Sequence, residues 1–289
     1  MRFAKGHGTE NDFVILIDPG GDLGLTAELV TRLCHRRAGL GADGVLRAVR
    51  AAAVTGPAGP GAAAGAAPPP QWFMDYRNAD GSVAEMCGNG IRVFARYLAE
   101  HGLVTGSEFT VATRSGTRRV WLRQDGEITV NMGEAAVLGP GHAVIGGETC
   151  QGLRVAIGNP HLVCLVDRPV GEFDLVGPPE LDPRQFPDGA NVEVVQITGT
   201  QTVAMRVHER GSGETRSCGT GAVAAAAAAN QATGQPGGAW QVCVPGGRLG
   251  VVIKGGTGYL TGPAVIVAEG DLDPAWLAAT ETVASPGAG

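Results

Sequence analysis

No stretch of this chain concentrates lysine and arginine, and the formal net charge of −6 argues against a general nucleic-acid surface. No segment reaches the roughly 18 consecutive apolar residues of a membrane span. The opening MRFAKGHGTEND turns polar too early for the apolar region of a secretory signal, so the expectation is a cytoplasmic protein. No GxxxxGK[ST] loop and no HExxH pair occurs, which removes the common phosphate-loop and zinc-protease signatures. No CxxC pair occurs either, although there are six cysteines: Cys34, Cys87, Cys150, Cys164, Cys218 and Cys243. Widely spaced cysteines in 289 residues describe free thiols in a reducing compartment rather than a disulfide framework or a structural zinc site. Aromatic residues are only 5% of the chain.

What is present is short strands. Segments such as FVILID, QWFMDYR, EITVNM, NVEVVQI, TVAMRVHE and LGVVIKG are separated by DG, GG and PG turns, the pattern of hairpins in a largely antiparallel or mixed sheet. Helical patterns are fewer: LTAELVTRLCHRR, one after Cys87 and one after Cys218. The run AAAVTGPAGPGAAAGAAPPPQ, residues 51–71, lacks side chains able to form a core and reads as a flexible surface insertion rather than a lid.

Two short motifs carry the chemistry. EMCGNGIRVFARYLAE and RSCGTGAVAAAAAAN place Cys87 and Cys218 before Gly-x-Gly turns that open helices, 131 residues apart. The spacing is close to half the chain, so two similar halves are expected, each an α/β (α+β) unit with a mixed, mostly antiparallel sheet wrapped around its own central helix. We expect a first half at 1–131, with 273–289 packing back on it, and a second at 132–272. The second helix, nearly all alanine, is expected to lie deep, where only small side chains fit. The first turn of a helix carries unpaired N–H groups and partial positive charge, and flanking glycines let an anion approach closely. A cysteine there should have its thiolate stabilised, lowering a pKa that starts near ~8.5. With the halves facing one another, a carboxylate sits between two helix termini with a thiol on each side. That geometry suits inversion at the adjacent carbon, one thiolate removing a proton and the opposite thiol delivering one. Cys34, Cys150, Cys164 and Cys243 lie in apolar segments and read as small buried hydrophobes.

The sequence resembles the diaminopimelate epimerases. The likeness runs through HGTENDF (7–13), YRNADGSVAEMCGNGIR (76–92), IGNPHLV (157–163), NVEV (191–194), HERGSGETRSCGTGA (208–222) and YLTGPA (259–264). The paired thiol motifs are shared with proline racemases, while NADGS, GNPH, NV and ERG are narrower. The resemblance implies a cleft between pseudo-symmetric halves and interconversion of LL- and meso-diaminopimelate for lysine and peptidoglycan precursors. It also implies no cofactor, no metal, no nucleic-acid or membrane partner, and a homodimer. It assigns Cys87 and Cys218 as acid/base thiols, and Gly88, Asn89, Gly219 and Thr220 as the turns that receive the reacting carboxylate. Asn11, Asn78, Asn159 and Asn191 match substrate-binding asparagines, Arg210 a clamp on the distal carboxylate, and His161 and Glu209 groups that support the reacting centre. The chain departs from the family pattern at Glu10, where glycine is frequent, at Gly44, where some members carry a substrate-touching glutamine, and at Arg216 and Ser217, where small apolar residues are usual. The other readings of the same residues are a proline or hydroxyproline racemase, a binding protein that has kept the cleft without the chemistry, and a thiol-redox protein.

Two thiols that face one small carbon must lie close together when the site is empty. Mild oxidation should therefore join Cys87 to Cys218 and remove activity reversibly; peptide mass mapping of oxidised, inactive protein checks this, and inactive protein with both thiols free rejects it.

Overall fold

The computed structural model describes residues 1–54 and 69–279; most of the expected flexible insertion, at 55–68, and the terminal 280–289 lie outside the described residues. The first half of the chain forms β1 (Arg2–Gly8), β2 (Asn11–Ile17), α1 (Ala27–Cys34), β3 (Gly44–Arg50), β4 (Trp72–Asn78), β5 (Val83–Ala84), α2 (Gly88–Glu100), β6 (Glu108–Thr113), β7 (Gly116–Leu122) and β8 (Ile128–Glu134). There follow β9 (Ala136–Ile145), β10 (Glu148–Ala156), β11 (Pro160–Leu165), β12 (Glu180–Leu181), β13 (Asn191–Gly199), β14 (Thr202–Glu209), β15 (Gly213–Thr215), α3 (Gly219–Thr233), β16 (Gly238–Val244), β17 (Gly247–Lys254) and β18 (Thr257–Gly262). The chain continues into β19 (Val265–Asp271) and α4 (Pro274–Ala278).

The strand pairings repeat. In the first half β1–β2 is antiparallel, β2–β3 parallel, β3–β4 antiparallel, β4–β6 parallel, and β6–β7 and β7–β8 antiparallel. In the second, β10–β11, β11–β13, β13–β14, β14–β16, β16–β17 and β17–β18 run through the same sequence of orientations. The two strips join where β8 lies antiparallel to β18. Each is extended by a strand from across that seam: β9, which directly follows β8, pairs with β10, and β19, which directly follows β18, pairs with β1. The chain thus returns to the first strip at 263–264, earlier than the reading of 132–272 as one half had placed it. Beyond β19, Asp273 caps α4, whose Trp276 stacks under Arg32 and donates its indole N–H to the Ala38 carbonyl.

A single helix fills each strip. The apolar face expected of α2 is present, with Ile91, Phe94 and Leu98 fully buried against β1, β2 and β8. In α3 every residue from Ala222 to Ala229 is buried, enclosed by β10, β11, β13, β14, β16, β17 and β18. Strands approach the helix closely: a Cβ on Gly258 would lie 2.4 Å from Val223 Cγ1. Larger side chains in such a packed core force strain of about 1–3 kcal/mol. α3 ends at Gly234, whose φ of 68° is the left-handed geometry that favours glycine.

β4 carries residues to the cavity between the halves, and its position is fixed by Asp75. This carboxylate is 1% exposed and meets Arg47, Arg77 and Arg114 at 3.0, 2.9 and 2.6 Å. Burial alone would raise its pKa, but hydrogen bonds from Arg77 and Arg114 outweigh that and hold it below the ordinary value. Its stabilisation is present above the unfolded carboxylate value near ~3.9 and is lost as pH falls through the lower folded value. Asp75→Asn should cost about 3 kcal/mol in urea unfolding at pH 7 and remove the matching part of the acid transition.

Candidate active site

The two glycine-flanked cysteines are the N-caps of the two central helices. Cys87 has φ −137° and ψ 123°, and its sulfur accepts from Gly90 N–H at 3.3 Å. Cys218 has φ −124° and ψ 121°, and its sulfur accepts from Gly221 N–H at 3.4 Å. The helix starts abut. A Cβ on Gly219 would lie 2.8 Å from Gly88 Cα and 3.0 Å from Asn89 N, and a Cβ on Gly88 would meet Gly219 Cα at 3.1 Å. Glycine is needed at both places because each backbone occupies the space a side chain at the other would take.

Both thiols open on one cavity of about 280 Å³. Asn11, Asn78, Asn159, Asn191, Glu209 and Arg210, with Gly88, Gly219 and Thr220, line its wall. Asn11 is oriented by Asp43, to which it donates at 2.7 Å, and its Oδ1 accepts from Asn89 at 3.1 Å. Asn78 donates to Ser82. Asn191 Oδ1 accepts from the Arg210 backbone N–H at 2.9 Å, and the Arg210 guanidinium is placed by the Asp188 carbonyl at 3.0 Å. Glu209 accepts from the Thr215 hydroxyl and faces the Cys218 thiol.

Two expected residues stand behind the wall. The Asn89 side chain donates to Asn11 and to the Ser217 carbonyl at 2.9 Å, so only its backbone is on the cavity side of the turn. His161 is fully buried, with Nδ1 2.7 Å from Glu193 Oε1 and Nε2 3.1 Å from Asn159 Oδ1. It reaches the cavity through Asn159.

Electrostatically the site differs from the expectation of lowered thiol pKa values. Burial pushes Cys87 up to about 12, with the Gly90 N–H opposing. Burial also raises Cys218 well above its ordinary value, reinforced by Glu209 and Glu193. The helix-terminal N–H groups act in the expected direction, but desolvation outweighs them. Glu209 is likewise raised by burial, against hydrogen bonds from Thr215 and Cys218. Among the described residues no cluster of three or more His, Cys, Asp or Glu side chains is arranged to hold a metal ion.

The departures from the family pattern interlock. Thr9 and Glu10 have φ of 52° and 62°, which accounts for glycine being frequent there. Glu10 receives the Arg216 guanidinium, so two unusual residues pair across the two halves. Ser217 is buried and shares a 2.7 Å hydrogen bond with Thr9. At Gly44 a side chain would strike Arg77 O at 2.5 Å and Tyr76 Cε2 at 2.8 Å, so the Tyr76 ring, which lines the cavity, lies directly against this glycine.

The family model for diaminopimelate epimerase matches residues 3–138 and 153–267. The chain belongs to the diaminopimelate epimerase family. It is 60% identical over 274 residues to the diaminopimelate epimerase of Thermobifida fusca, covering 94% of this chain and 98% of that one. It is 50% identical over 290 residues to that of Mycolicibacterium smegmatis, covering 96% and 98%. Among solved structures, a probable proline racemase from Agrobacterium radiobacter shares the fold with a TM-score of 0.65 at 14% identity, covering 94% of this chain and 93% of that one. A hydroxyproline epimerase from Agrobacterium vitis does so with 0.65 at 15%, covering 95% and 94%. The mixed, mostly antiparallel α/β architecture is therefore that of the diaminopimelate epimerase family, shared more widely by proline racemase-like proteins.

Sequence reasoning missed Tyr76, Arg92 and Glu193. Arg92 follows Gly88 by one helical turn and is fully buried, donating to the carbonyls of Gly88 and Pro263 and to Thr9. Glu193 is the lone acid in the apolar run NVEVV, and that interruption was its signal. Gly219→Ala should lower turnover by about 10²-fold, through misplaced helix ends. Steady-state kinetics alongside a melting curve checks this, and unchanged turnover rejects the abutment as essential.

Proposed function

We propose that the chain epimerises diaminopimelate between its LL and meso forms, with Cys87 and Cys218 acting on opposite faces of one α-carbon. The observation that carries this reading is the end-on contact of two cysteine-capped helices at a single cavity. A substrate carboxylate placed over Gly88 and Gly219 meets the first-turn N–H groups of both helices, which stabilise the enediolate formed when the α-proton leaves. One thiolate takes that proton, the other thiol supplies a proton from the far side, and the configuration inverts.

Burial has two effects on this chemistry. A thiolate whose conjugate acid lies near 12 is a stronger base than an ordinary one, narrowing the gap to a carbon acid by about 1.4 kcal/mol per unit. The same burial makes thiolate scarce in the empty site. The substrate's α-ammonium offsets this by bringing positive charge between the sulfurs, and Glu209 is placed to receive it. Asn159, with His161 and Glu193 behind it, orients the reacting centre. The distal amino acid centre is taken by Asn78, Asn191 and the Arg210 guanidinium, whose planar fork suits a carboxylate. These distal groups distinguish the reading from proline racemisation, whose substrate has no second amino acid centre.

The same reading places the protein in the cytoplasm as a homodimer whose reaction takes no cofactor. No helix among the described residues is long and apolar enough to cross a membrane. Proton NMR of reduced protein with LL-diaminopimelate in deuterium oxide should show meso product carrying α-deuterium, and no exchange with proline. Cys87→Ala and Cys218→Ala should each lower epimerisation by about 10³-fold or more. Exchange with proline alone, or near-normal turnover in either variant, rejects the reading.

A further inference from the structure

The repeated topology lets the two thiols be compared residue by residue. β2 and β3 pair Phe13 with Gly44 and Ile15 with Leu46, while β11 and β13 pair His161 with Asn191 and Val163 with Glu193. Leu46 and Glu193 therefore occupy equivalent places, and each faces the glycine that donates to its cysteine. The atom nearest a Cβ on Gly90 is Leu46 Cδ2 at 3.2 Å; the atom nearest a Cβ on Gly221 is Glu193 Oε1 at 2.6 Å. On the next strands Tyr76 pairs with Ala84 and Val207 with Thr215, which makes Asn78 the counterpart of Glu209. Five residues after each cysteine stand Arg92 and Val223.

The half-sites are thus alike in backbone and opposite in charge. The Cys87 side carries Leu46, Asn78 and a buried guanidinium; the Cys218 side carries Glu193, Glu209 and a valine. Among the described residues Arg92 has no carboxylate partner, its donors going to Gly88 O, Thr9 Oγ1 and Pro263 O. Glu193 is fully buried, and while Oε1 meets His161, its Oε2 has no partner. A carboxylate against the first turn of α3 occupies the positive end of that helix and competes with a thiolate at Cys218. At the corresponding place against the first turn of α2 stands the apolar Leu46, and the nearest acid of that half, Asp43, is held off behind Asn11.

We propose that Arg92 and Glu193 are positioning residues that make the two thiols inequivalent at rest: Cys87 gives up its proton to solvent first, and Cys218 keeps its own. This rests on the two-thiol reading above and adds a fixed resting state to it. The groups facing Cys218 are Glu209 from β14, Glu193 from β13 with His161 of β11 behind it, and Tyr76 from β4. Those facing Cys87 are Arg92 on its own helix, Glu209 and Tyr76 across the cavity, and Asp43 behind Asn11. Burial dominates at both sulfurs and Glu209 adds to it at both, but at Cys87 the Gly90 and Asn89 N–H groups and Arg92 oppose it, whereas at Cys218 Glu193 adds to it as well.

The test is alkylation of the full-length, substrate-free protein by iodoacetamide from pH 7 to 11, each cysteine followed by peptide mass spectrometry. Rates are read on the rising limb of each profile, and each variant is compared with the unaltered protein at the same cysteine, which removes differences in access. In the unaltered protein the Cys87 profile should lie at least about one pH unit below that of Cys218, tenfold in thiolate fraction. Glu193→Gln, which keeps the shape and the hydrogen bond to His161, should move the Cys218 profile down by about one unit with Cys87 little changed. Glu193→Asp should restore it, and Arg92→Met should move the Cys87 profile up. A merely structural role would alter the melting temperature or both rates together without moving one profile against the other. Coincident profiles in the unaltered protein, the reverse order, or parallel shifts in both variants overturn the proposal. Turnover of the two cysteine variants is read separately, so loss of this inference leaves the two-thiol reading standing.

Discussion

Two helices meet end to end at Gly88 and Gly219, and the rest of the molecule is arranged to hold them there. Each helix start behaves roughly as half a positive charge, so the contact brings like charges together in a place largely closed to water. Isolated helices would not choose it. Two strips of sheet, packed around α2 and α3 and joined by the β8–β18 pairing, impose it, and the two cysteine sulfurs moderate it by accepting one N–H each. The remaining positive potential is what an anionic substrate group would relieve. Substrate affinity and catalytic stabilisation then have one origin, since charge gathering on a carboxylate as its α-proton departs meets donors that are already in place.

That contact also explains the composition near it. Gly88 and Gly219 leave room for each other's backbone and Gly258 for the Val223 side chain, where a Cβ would collide, and the alanines of α3 let the surrounding strands close over one helix. Chemistry and packing draw on the same small residues, so the glycine-flanked cysteines and the alanine run are two aspects of one constraint.

Much of this was legible in the sequence. The Cys-Gly-x-Gly turns, their spacing at half the chain, and the depth of α3 followed from local patterns, because cap geometry and burial of an apolar run are decided within a few residues. The asparagines around the cavity were legible only through family resemblance, since each alone is an ordinary turn residue. What stayed hidden depended on distant partners. The direction of the thiol shifts is a balance between nearby N–H groups and burial by the whole fold, and only the first is local. The pairing of Glu10 with Arg216, 206 residues away, and the packing of the Tyr76 ring against Gly44 are likewise invisible until the chain has folded. The exchange of β19 into the first strip, ahead of the 273–289 expected to pack there, was missed for the same reason: a strand's composition does not say which edge it joins.

That exchange bears on the order of assembly. The second strip is built from one uninterrupted stretch, β9 to β18, whereas the first waits for β19, near the end of the described chain, to cover β1. During synthesis the residues that emerge first are therefore left with an open sheet edge, even though domains formed from contiguous segments generally fold in the order they appear. The later-made half can close before the earlier one, and the first thiol reaches its final surroundings only once the end of the chain has been laid against its beginning.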